Sequence, residues 1–174
     1  MFVYYSGHGV PDETGEQYFV PYDIHPKYAS HSGYSLKTLY NNLAKLHARS
    51  ITLVIDACFS GTSAGGQQLV PAVSDIIIRS KAPIFTLKNG VIFTSCAADQ
   101  VSYWYPDKKH GLFTYFFLKG LQGDADTDGD RQITVQELCD YVRTNVRDMA
   151  VELYQGRAQE PQIIGDPDRV LFSY

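Results

Sequence analysis

The 174-residue chain lacks an excess of basic residues, since 15 Lys and Arg stand against 19 Asp and Glu for a net charge of -4. A nucleic-acid partner is therefore not expected, because phosphate binding needs a basic face. The chain also lacks any apolar run long enough to span a bilayer, so we expect no membrane partner. Cysteine is scarce, with three residues. An odd number cannot form a complete disulfide framework, which favours a reducing, cytoplasmic location and leaves at least one thiol for other chemistry.

Apolar and aromatic side chains are abundant, with 44% hydrophobic residues, 13 Tyr and 9 Phe. This composition predicts a single globular domain over residues 1–174 with enough chain for a core. Unbroken apolar runs predict buried parallel strands at residues 1–6, 51–55 and 91–95. Apolar residues at helical spacing predict helices from the N-cap Ser35 to about His47 and over residues 112–121 and 135–154. Shorter strand-like pieces lie at residues 18–20, 163–164 and 170–172.

The alternation of strands and helices is typical of an α/β fold, with a mostly parallel sheet and helices on both faces. In open α/β sheets, ligands bind beyond the carboxyl ends of the strands. Two of these ends carry reactive side chains. The first predicted strand ends in Ser6-Gly7-His8-Gly9, and the second leads into Asp56-Ala57-Cys58-Phe59-Ser60-Gly61. If the two strands are neighbours, the imidazole and the thiol converge on one crevice.

A thiol and an imidazole in one crevice can act together as a nucleophile and its base. A free thiol is only slightly ionised at neutral pH, and a positioned imidazole raises the thiolate fraction and later protonates the leaving amine. The backbone N–H groups of Gly9 and Cys58 are candidate oxyanion donors for the tetrahedral intermediate. The alternative is that His8 is a structural histidine and Cys58 an inert, buried cysteine.

These two segments, about 50 residues apart, resemble the histidine and cysteine motifs of caspase-like cysteine peptidases. The Asp56-Ala57-Cys58 form is similar to the metacaspase and bacterial caspase-like branch. Further similar segments are Val20-Pro21-Tyr22-Asp23, Phe93-Thr94-Ser95-Cys96 and His110-Gly111-Leu112-Phe113-Thr114-Tyr115. The resemblance implies a caspase-hemoglobinase fold and peptide hydrolysis through a thioester acyl-enzyme. It implies that Cys58 is the nucleophile and His8 its base.

The position of the histidine-bearing strand departs from this family. Its members usually have one or two strands before that strand, whereas this chain starts directly on it. Two explanations are open: a preceding piece is missing from the sequence, or the sheet lacks the N-terminal strands. Part of the substrate pocket of metacaspases comes from that region.

Asp56 is the first candidate for recognising the substrate, because it stands two residues before the nucleophile. A carboxylate there favours Arg or Lys before the cleaved bond through a charge-assisted hydrogen bond, and the resemblance to metacaspases implies the same preference. Asp99 is a second candidate for this pocket. Strand-end capping is the structural alternative for Asp56, and an ordinary surface carboxylate is the alternative for Asp99.

A second acidic motif occupies residues 126–137. Oxygen ligands at positions 1, 3, 5 and 12 with an apolar residue at position 8 form the pattern of an EF-hand calcium loop. The ligands predicted here are Asp126, Asp128, Asp130, the backbone carbonyl of Gln132, and Glu137. Position 6 holds Arg131 where glycine is usual, which costs on the order of 1 kcal/mol in a left-handed turn. The alternative is an acidic turn followed by a helix start.

These motifs lead to one main functional prediction and two alternatives. We expect a cysteine endopeptidase acting on peptides or proteins at Arg or Lys, with calcium as its only expected cofactor and no organic cofactor. A transpeptidase using the same acyl-enzyme and a non-catalytic signalling or scaffold domain are the alternatives.

Residues 62–89 are predicted to form a long loop between the large and small parts of the domain.

Overall fold

The computed structural model describes residues 1–61, 69, 89–98 and 100–174. Nearly all of the predicted loop at residues 62–89 lies outside these described residues. The strands are β1 (Phe2–Ser6), β2 (His8–Pro11), β3 (Gln17–Val20), β4 (Tyr34–Ser35), β5 (Ile51–Asp56), β6 (Gly90–Thr94), β7 (Trp104–Tyr105), β8 (His110–Gly111), β9 (Gln132–Thr134), β10 (Gln162–Ile164) and β11 (Val170–Ser173). The α-helices are α1 (Ala29–Ser32), α2 (Leu36–Ala44), α3 (Leu112–Lys119) and α4 (Val135–Leu153).

The central sheet has four strands in the order β1–β5–β6–β10. Strands β1, β5 and β6 are parallel, and β10 pairs with β6 in the antiparallel direction. The register places Ser6 opposite Asp56, and Ile55 opposite Thr94. The carboxyl ends of three neighbouring strands therefore lie along one edge of the sheet. The prediction of a mostly parallel α/β sheet is confirmed.

Helices cover both faces of this sheet, as the alternation of elements predicted. On one face, α2 packs its buried side chains, Tyr40 and Leu43 among them, against Leu53 and Ile55 of β5. On the other face, α3 and α4 pack against a cluster that includes Val54. Successive residues of a strand point to opposite faces, so the unbroken apolar run of β5 supplies both clusters.

Strand β1 differs from its prediction as a buried strand. It is parallel to β5, but it lies at the edge of the sheet that the described strands form, and Phe2 and Tyr4 are 59% and 46% exposed. Its other face is covered, because Val3 and Tyr5 pack against the α2 side of the core. A run of apolar residues reports the tendency to form a strand, but it does not distinguish a central strand from an edge strand.

The helices begin where the sequence predicts and end slightly earlier. Ser35 caps α2 as expected, since its Oγ accepts a hydrogen bond from the N–H of Thr38 at 3.4 Å. The helix predicted at residues 112–121 is α-helical to Lys119 and continues as a wider π-type turn at Gly120–Asp124. Within the described part of the chain, no helix combines the length and apolarity needed to cross a membrane.

The C-terminal segment ties the starts of two central strands together through Arg169. Its guanidinium donates to the carbonyls of Ile51 and Asn89 at 3.4 and 3.3 Å, and to the Oγ1 of Thr52 at 3.4 Å. These acceptors lie at the beginning of β5 and immediately before β6. Arg169 thus joins the last part of the chain to the amino-terminal edge of the sheet.

We predict that Arg169→Met destabilises the fold by about 1–2 kcal/mol, because the carbonyls of Ile51 and Asn89 lose a charged donor while the apolar stem is kept. Urea denaturation, read as the free energy of unfolding, measures this loss. Arg157→Met, at an exposed position in the turn after α4, is the matched control and is expected to change stability little. Equal effects of the two substitutions would refute this role for Arg169.

Candidate active site

His8 begins β2, directly after the turn that follows β1. The Gly7 N–H donates to the carbonyl of Asp56 at 3.2 Å. This hydrogen bond extends the pairing of β1 with β5 by one residue past the end of β1. Strand β2 then forms an antiparallel hairpin with β3, in which His8 lies opposite Val20. The chain therefore leaves the sheet at its carboxyl edge, and the exposed imidazole is held at that edge by the hairpin.

Gly9 allows the histidine and cysteine segments to approach each other closely. A Cβ at this position would lie 2.9 Å from the carbonyl oxygen of Cys58 and would overlap the ring of Phe59. Only glycine fits at such a contact without displacing backbone. The segment carrying Gly9 and the segment carrying Cys58 are thus packed directly against each other.

Cys58 follows β5 and lines the same cavity as His8. This cavity has a volume of about 280 Å³. Its wall is formed by His8 after β1, by Asp56 at the end of β5 and Cys58 after it, by the segment Ser102–Trp104, and by Gly111. The structure therefore brings together the three residues singled out at the two strand ends, as expected for neighbouring parallel strands.

The Cys58 thiol is buried, with 4% of the residue exposed. Burial raises the pKa of this thiol, while the backbone N–H groups of Ser102 and Cys58 and the Ser60 hydroxyl act in the opposite direction. The negative charge of Asp56 adds to the upward shift of the pKa. The thiol is therefore mostly protonated at neutral pH, and nucleophilic chemistry at this position requires a base.

The carboxylate of Asp56 is buried and held by hydrogen bonds from two other segments. Its Oδ1 accepts from the Ser102 hydroxyl at 2.7 Å, and its Oδ2 accepts from both the N–H, at 3.3 Å, and the hydroxyl of Thr114. Burial raises the pKa of this carboxyl group, and the hydrogen bonds from Thr114 and Ser102 oppose that rise. The Ser95 hydroxyl also opposes the rise of this pKa.

Gly111 lies so close to Asp56 that any side chain there would overlap the carboxylate Oδ2. It directly precedes α3, whose third residue is Thr114. A glycine at this point lets the start of the helix approach the carboxylate, and the first turn of the helix can then donate to it. The segment His110–Tyr115, quoted above for its resemblance, thus supplies part of the surroundings of Asp56.

A model of the caspase domain matches residues 1–172. The chain belongs to the caspase domain family. This is a family of cysteine peptidases that act on proteins, so the family and the caspase-like fold predicted from the sequence are confirmed. No curated protein matches this caspase domain by sequence.

The solved structures that share the fold include an insect caspase and a bacterial protein. Caspase-1 from Spodoptera frugiperda superimposes with a TM-score of 0.55 at 17% identity, over 97% of this caspase domain and 60% of that chain. A protein from Geobacter sulfurreducens superimposes with a TM-score of 0.55 at 19% identity, over 95% of this chain and 67% of its own. Identities this low establish a common fold only, and the chain spans 60% of the length of the insect caspase.

Three residues around the cavity were not identified from the sequence. Ser102 and Thr114 hold Asp56 across 46 and 58 residues of chain, and Gln159 contacts Ser102 across 57 residues. Thr114 lies within a segment that resembles the family, which is a weak signal for its role. Ser102 and Gln159 carry no such signal. Asp99, the second candidate for the substrate pocket, lies outside the described residues.

The acidic loop lies apart from this cavity and brings together part of its predicted ligand set. Asp126, Asp128 and Asp130 offer carboxylate oxygens that all lie within 4.8 Å of one another. Glu137 instead accepts hydrogen bonds from Thr127 and Thr134, and with Thr134 it forms the capping box of α4. Gln132 donates through its side chain to Asp130.

The backbone of the acidic loop makes a left-handed turn at position 6 of the motif. Arg131, at position 6, adopts a φ of 64°, in the left-handed region that glycine usually occupies. Its N–H donates to Asp126 at 3.1 Å. Asp126 also accepts from the hydroxyl of Tyr174 at 2.8 Å, and this hydrogen bond, followed by those from the loop N–H groups, lowers the pKa of Asp126.

Proposed function

We propose that this caspase domain is a cysteine endopeptidase that cleaves after Arg or Lys, with Cys58 as nucleophile and His8 as its base. One observation carries the proposal: His8, Cys58 and the buried carboxylate of Asp56 line a single cavity at the carboxyl edge of the sheet. A nucleophile, a titratable base and an anionic pocket residue are the groups that this hydrolysis needs.

The chemistry proceeds in two steps. His8 takes the thiol proton, and the Cys58 sulfur attacks the peptide carbonyl, while the N–H groups of Gly9 and Cys58 stabilise the oxyanion. His8 then protonates the leaving amine, and the carbonyl carbon stays bound to sulfur as a thioester. Water, deprotonated by the same imidazole, attacks the thioester and releases the acid product and the free thiol.

The surroundings of Asp56 support a preference for basic side chains. A buried carboxylate held by hydrogen bonds from Ser102 and Thr114 keeps its position without a substrate. A guanidinium or ammonium that reaches it can form a charge-assisted hydrogen bond with it. Because the carboxylate is buried, little water competes with a cation for it, and the attraction between the two charges is strong. An uncharged side chain in the same place would leave the charge without a partner.

We predict that a reporter peptide with Arg before the cleaved bond is hydrolysed by the parent protein and not by Cys58→Ala or His8→Ala. Loss of either member of such a pair removes the attacking thiolate or its base. Fluorescence release measures the rate, and Cys139→Ala is the control, since Cys139 is also buried but lies on α4.

Hydrolysis that persists in Cys58→Ala would refute the catalytic assignment. A folded parent that hydrolyses no peptide would favour a non-catalytic domain. An amine acceptor added to the assay separates hydrolysis from transpeptidation, because a transpeptidase would join the acyl part of the peptide to the amine.

We predict that Asp56→Asn lowers kcat/KM for the Arg peptide at least about thirtyfold, since loss of a buried charged partner typically costs roughly 2–5 kcal/mol. Activity on a matched peptide with an uncharged residue at that position should fall far less. Asp148→Asn, at an exposed position on α4, is the control. Equal losses for both peptides would show that Asp56 supports the fold and does not recognise the substrate.

We also propose that the loop at residues 126–137 binds calcium. The support is the spacing of its acidic residues, the convergence of Asp126, Asp128 and Asp130, and the left-handed Arg131 at the turn. Carboxylate oxygens are the ligands that calcium prefers. These three carboxylates and the Gln132 carbonyl would hold the ion, and Glu137 would join them after giving up its hydrogen bonds to Thr127.

We predict that millimolar calcium raises the thermal midpoint of the parent and that Asp128→Ala removes most of this shift. Asp128 is exposed and accepts a hydrogen bond from the N–H of Asp130 within its own loop, so its removal should affect the calcium-free protein little. Differential scanning fluorimetry with and without a chelator measures the shift, with Asp148→Ala as control. If calcium does not change the thermal midpoint of the parent protein, the proposed calcium site is ruled out.

A further inference from the structure

Gln159 is a fully buried polar residue with a fixed set of hydrogen bonds. It lies between α4 and β10, and 0% of it is exposed. Its Oε1 accepts from the Tyr103 N–H at 2.8 Å, and its Nε2 donates to the Ser95 carbonyl at 2.8 Å and to the Ser102 hydroxyl at 3.4 Å. The amide is thus satisfied on both sides by two segments that are distant in sequence.

Both segments bear directly on the cavity. Ser95 follows β6; its N–H donates to the carbonyl of Ile55 at 2.9 Å and its hydroxyl to the carbonyl of Ala57 at 3.3 Å. Residues 102–104 form one wall of the cavity. Gln159 therefore joins that wall to the strand end that also supports the cysteine segment.

The wall held by Gln159 contacts both Asp56 and Cys58. The Ser102 hydroxyl donates to Asp56 at 2.7 Å. Burial raises the pKa of the Cys58 thiol, and the hydrogen bond from the Ser102 N–H opposes that rise. A displacement of Ser102 would thus change the pocket carboxylate and the nucleophile together.

An apolar side chain of similar length could fill the same space, so packing alone does not explain an amide here. A buried amide is unfavourable unless its donors and acceptor are paired. Here the pairing also satisfies the N–H of Tyr103, which is itself buried. Because the two ends of the amide differ, it specifies the register of residues 102–103 relative to Ser95, which an apolar contact does not do.

We propose that Gln159 is a positioning residue, which fixes residues 102–104 so that Asp56 binds the basic side chain and Cys58 is presented to the substrate. The proposal rests on the proposed peptidase function, and it adds a residue that does not line the cavity.

The test compares Gln159→Met with Gln100→Met. Gln100 is a matched control, since its Oε1 accepts from the N–H groups of Ala97 and Glu160 at 3.3 and 2.8 Å in the same region. In the described part of the chain its side chain does not bond to residues 102–104. For the Arg peptide, Gln159→Met should lower kcat/KM on the order of a hundredfold. Much of the loss should appear in KM, whereas Gln100→Met should lower the thermal midpoint without raising KM.

A second readout does not depend on peptide hydrolysis. Alkylation of Cys58 by iodoacetamide over a pH series, followed by peptide mass mapping to separate it from Cys96 and Cys139, reports the thiolate fraction. Without the Ser102 N–H in place, the midpoint of this profile should rise by about half a pH unit or more in Gln159→Met. Among the described residues, Asp56, His8 and Tyr103 are the titratable groups that line the cavity with this thiol, and they are unchanged in all variants.

The two readouts keep the proposals separate. A parent that hydrolyses nothing defeats the peptidase proposal, and the alkylation midpoint then decides the role of Gln159 alone. If Gln159→Met keeps the parental midpoint, or changes KM no more than Gln100→Met does, the positioning role is overturned. If Gln159→Met fails to fold, Gln159→Asn replaces it with the same readouts, because its amide is one methylene too short to reach both segments.

Discussion

The parallel, in-register pairing of β1 with β5 is the constraint on which the rest of the site depends. It sets Ser6 opposite Asp56 and continues into the hydrogen bond from the Gly7 N–H to the Asp56 carbonyl. Parallel strands end at the same edge of a sheet, so the residues that follow them must meet there. The contact of Gly9 with the cysteine segment then holds the segment after β1 directly against the segment after β5. A register slip of one residue would turn every side chain of β1 to the opposite face.

The burial of the Asp56 carboxylate imposes a second requirement on the fold. A buried charge is stable only where donors surround it, and the donors here come from the Ser102–Trp104 segment and from the first turn of α3. Each has its own support, since Gln159 holds the segment and Gly111 permits the close approach of the helix. The position of one carboxylate thus depends on three separate parts of the chain.

The final part of the chain, beyond α4, links these regions. Gln159 contacts the cavity wall, β10 adds the antiparallel strand to the sheet, and Arg169 holds the starts of β5 and β6. Strand β11 then pairs with β9 inside the acidic loop, where the Tyr174 hydroxyl donates to Asp126. The segment therefore contacts both ends of the sheet as well as the loop for which calcium binding is proposed. These contacts provide a direct structural connection between the acidic loop and the central sheet.

The sequence by itself determined the main strands, the helix starts and the mostly parallel sheet, because apolar runs and helical spacing are local properties of the chain. It also placed His8 and Cys58 after two strand ends, and their convergence followed once those strands were neighbours. The catalytic, pocket and metal roles of these residues stay predictions. Only the tertiary structure decided that β1 lies at the edge among the described strands, that Ser102 and Thr114 donate to Asp56, and that Gln159 contacts Ser102. Strand order and the choice of hydrogen-bond partners across some 50 residues of chain depend on how separate elements pack, and no local pattern encodes that packing.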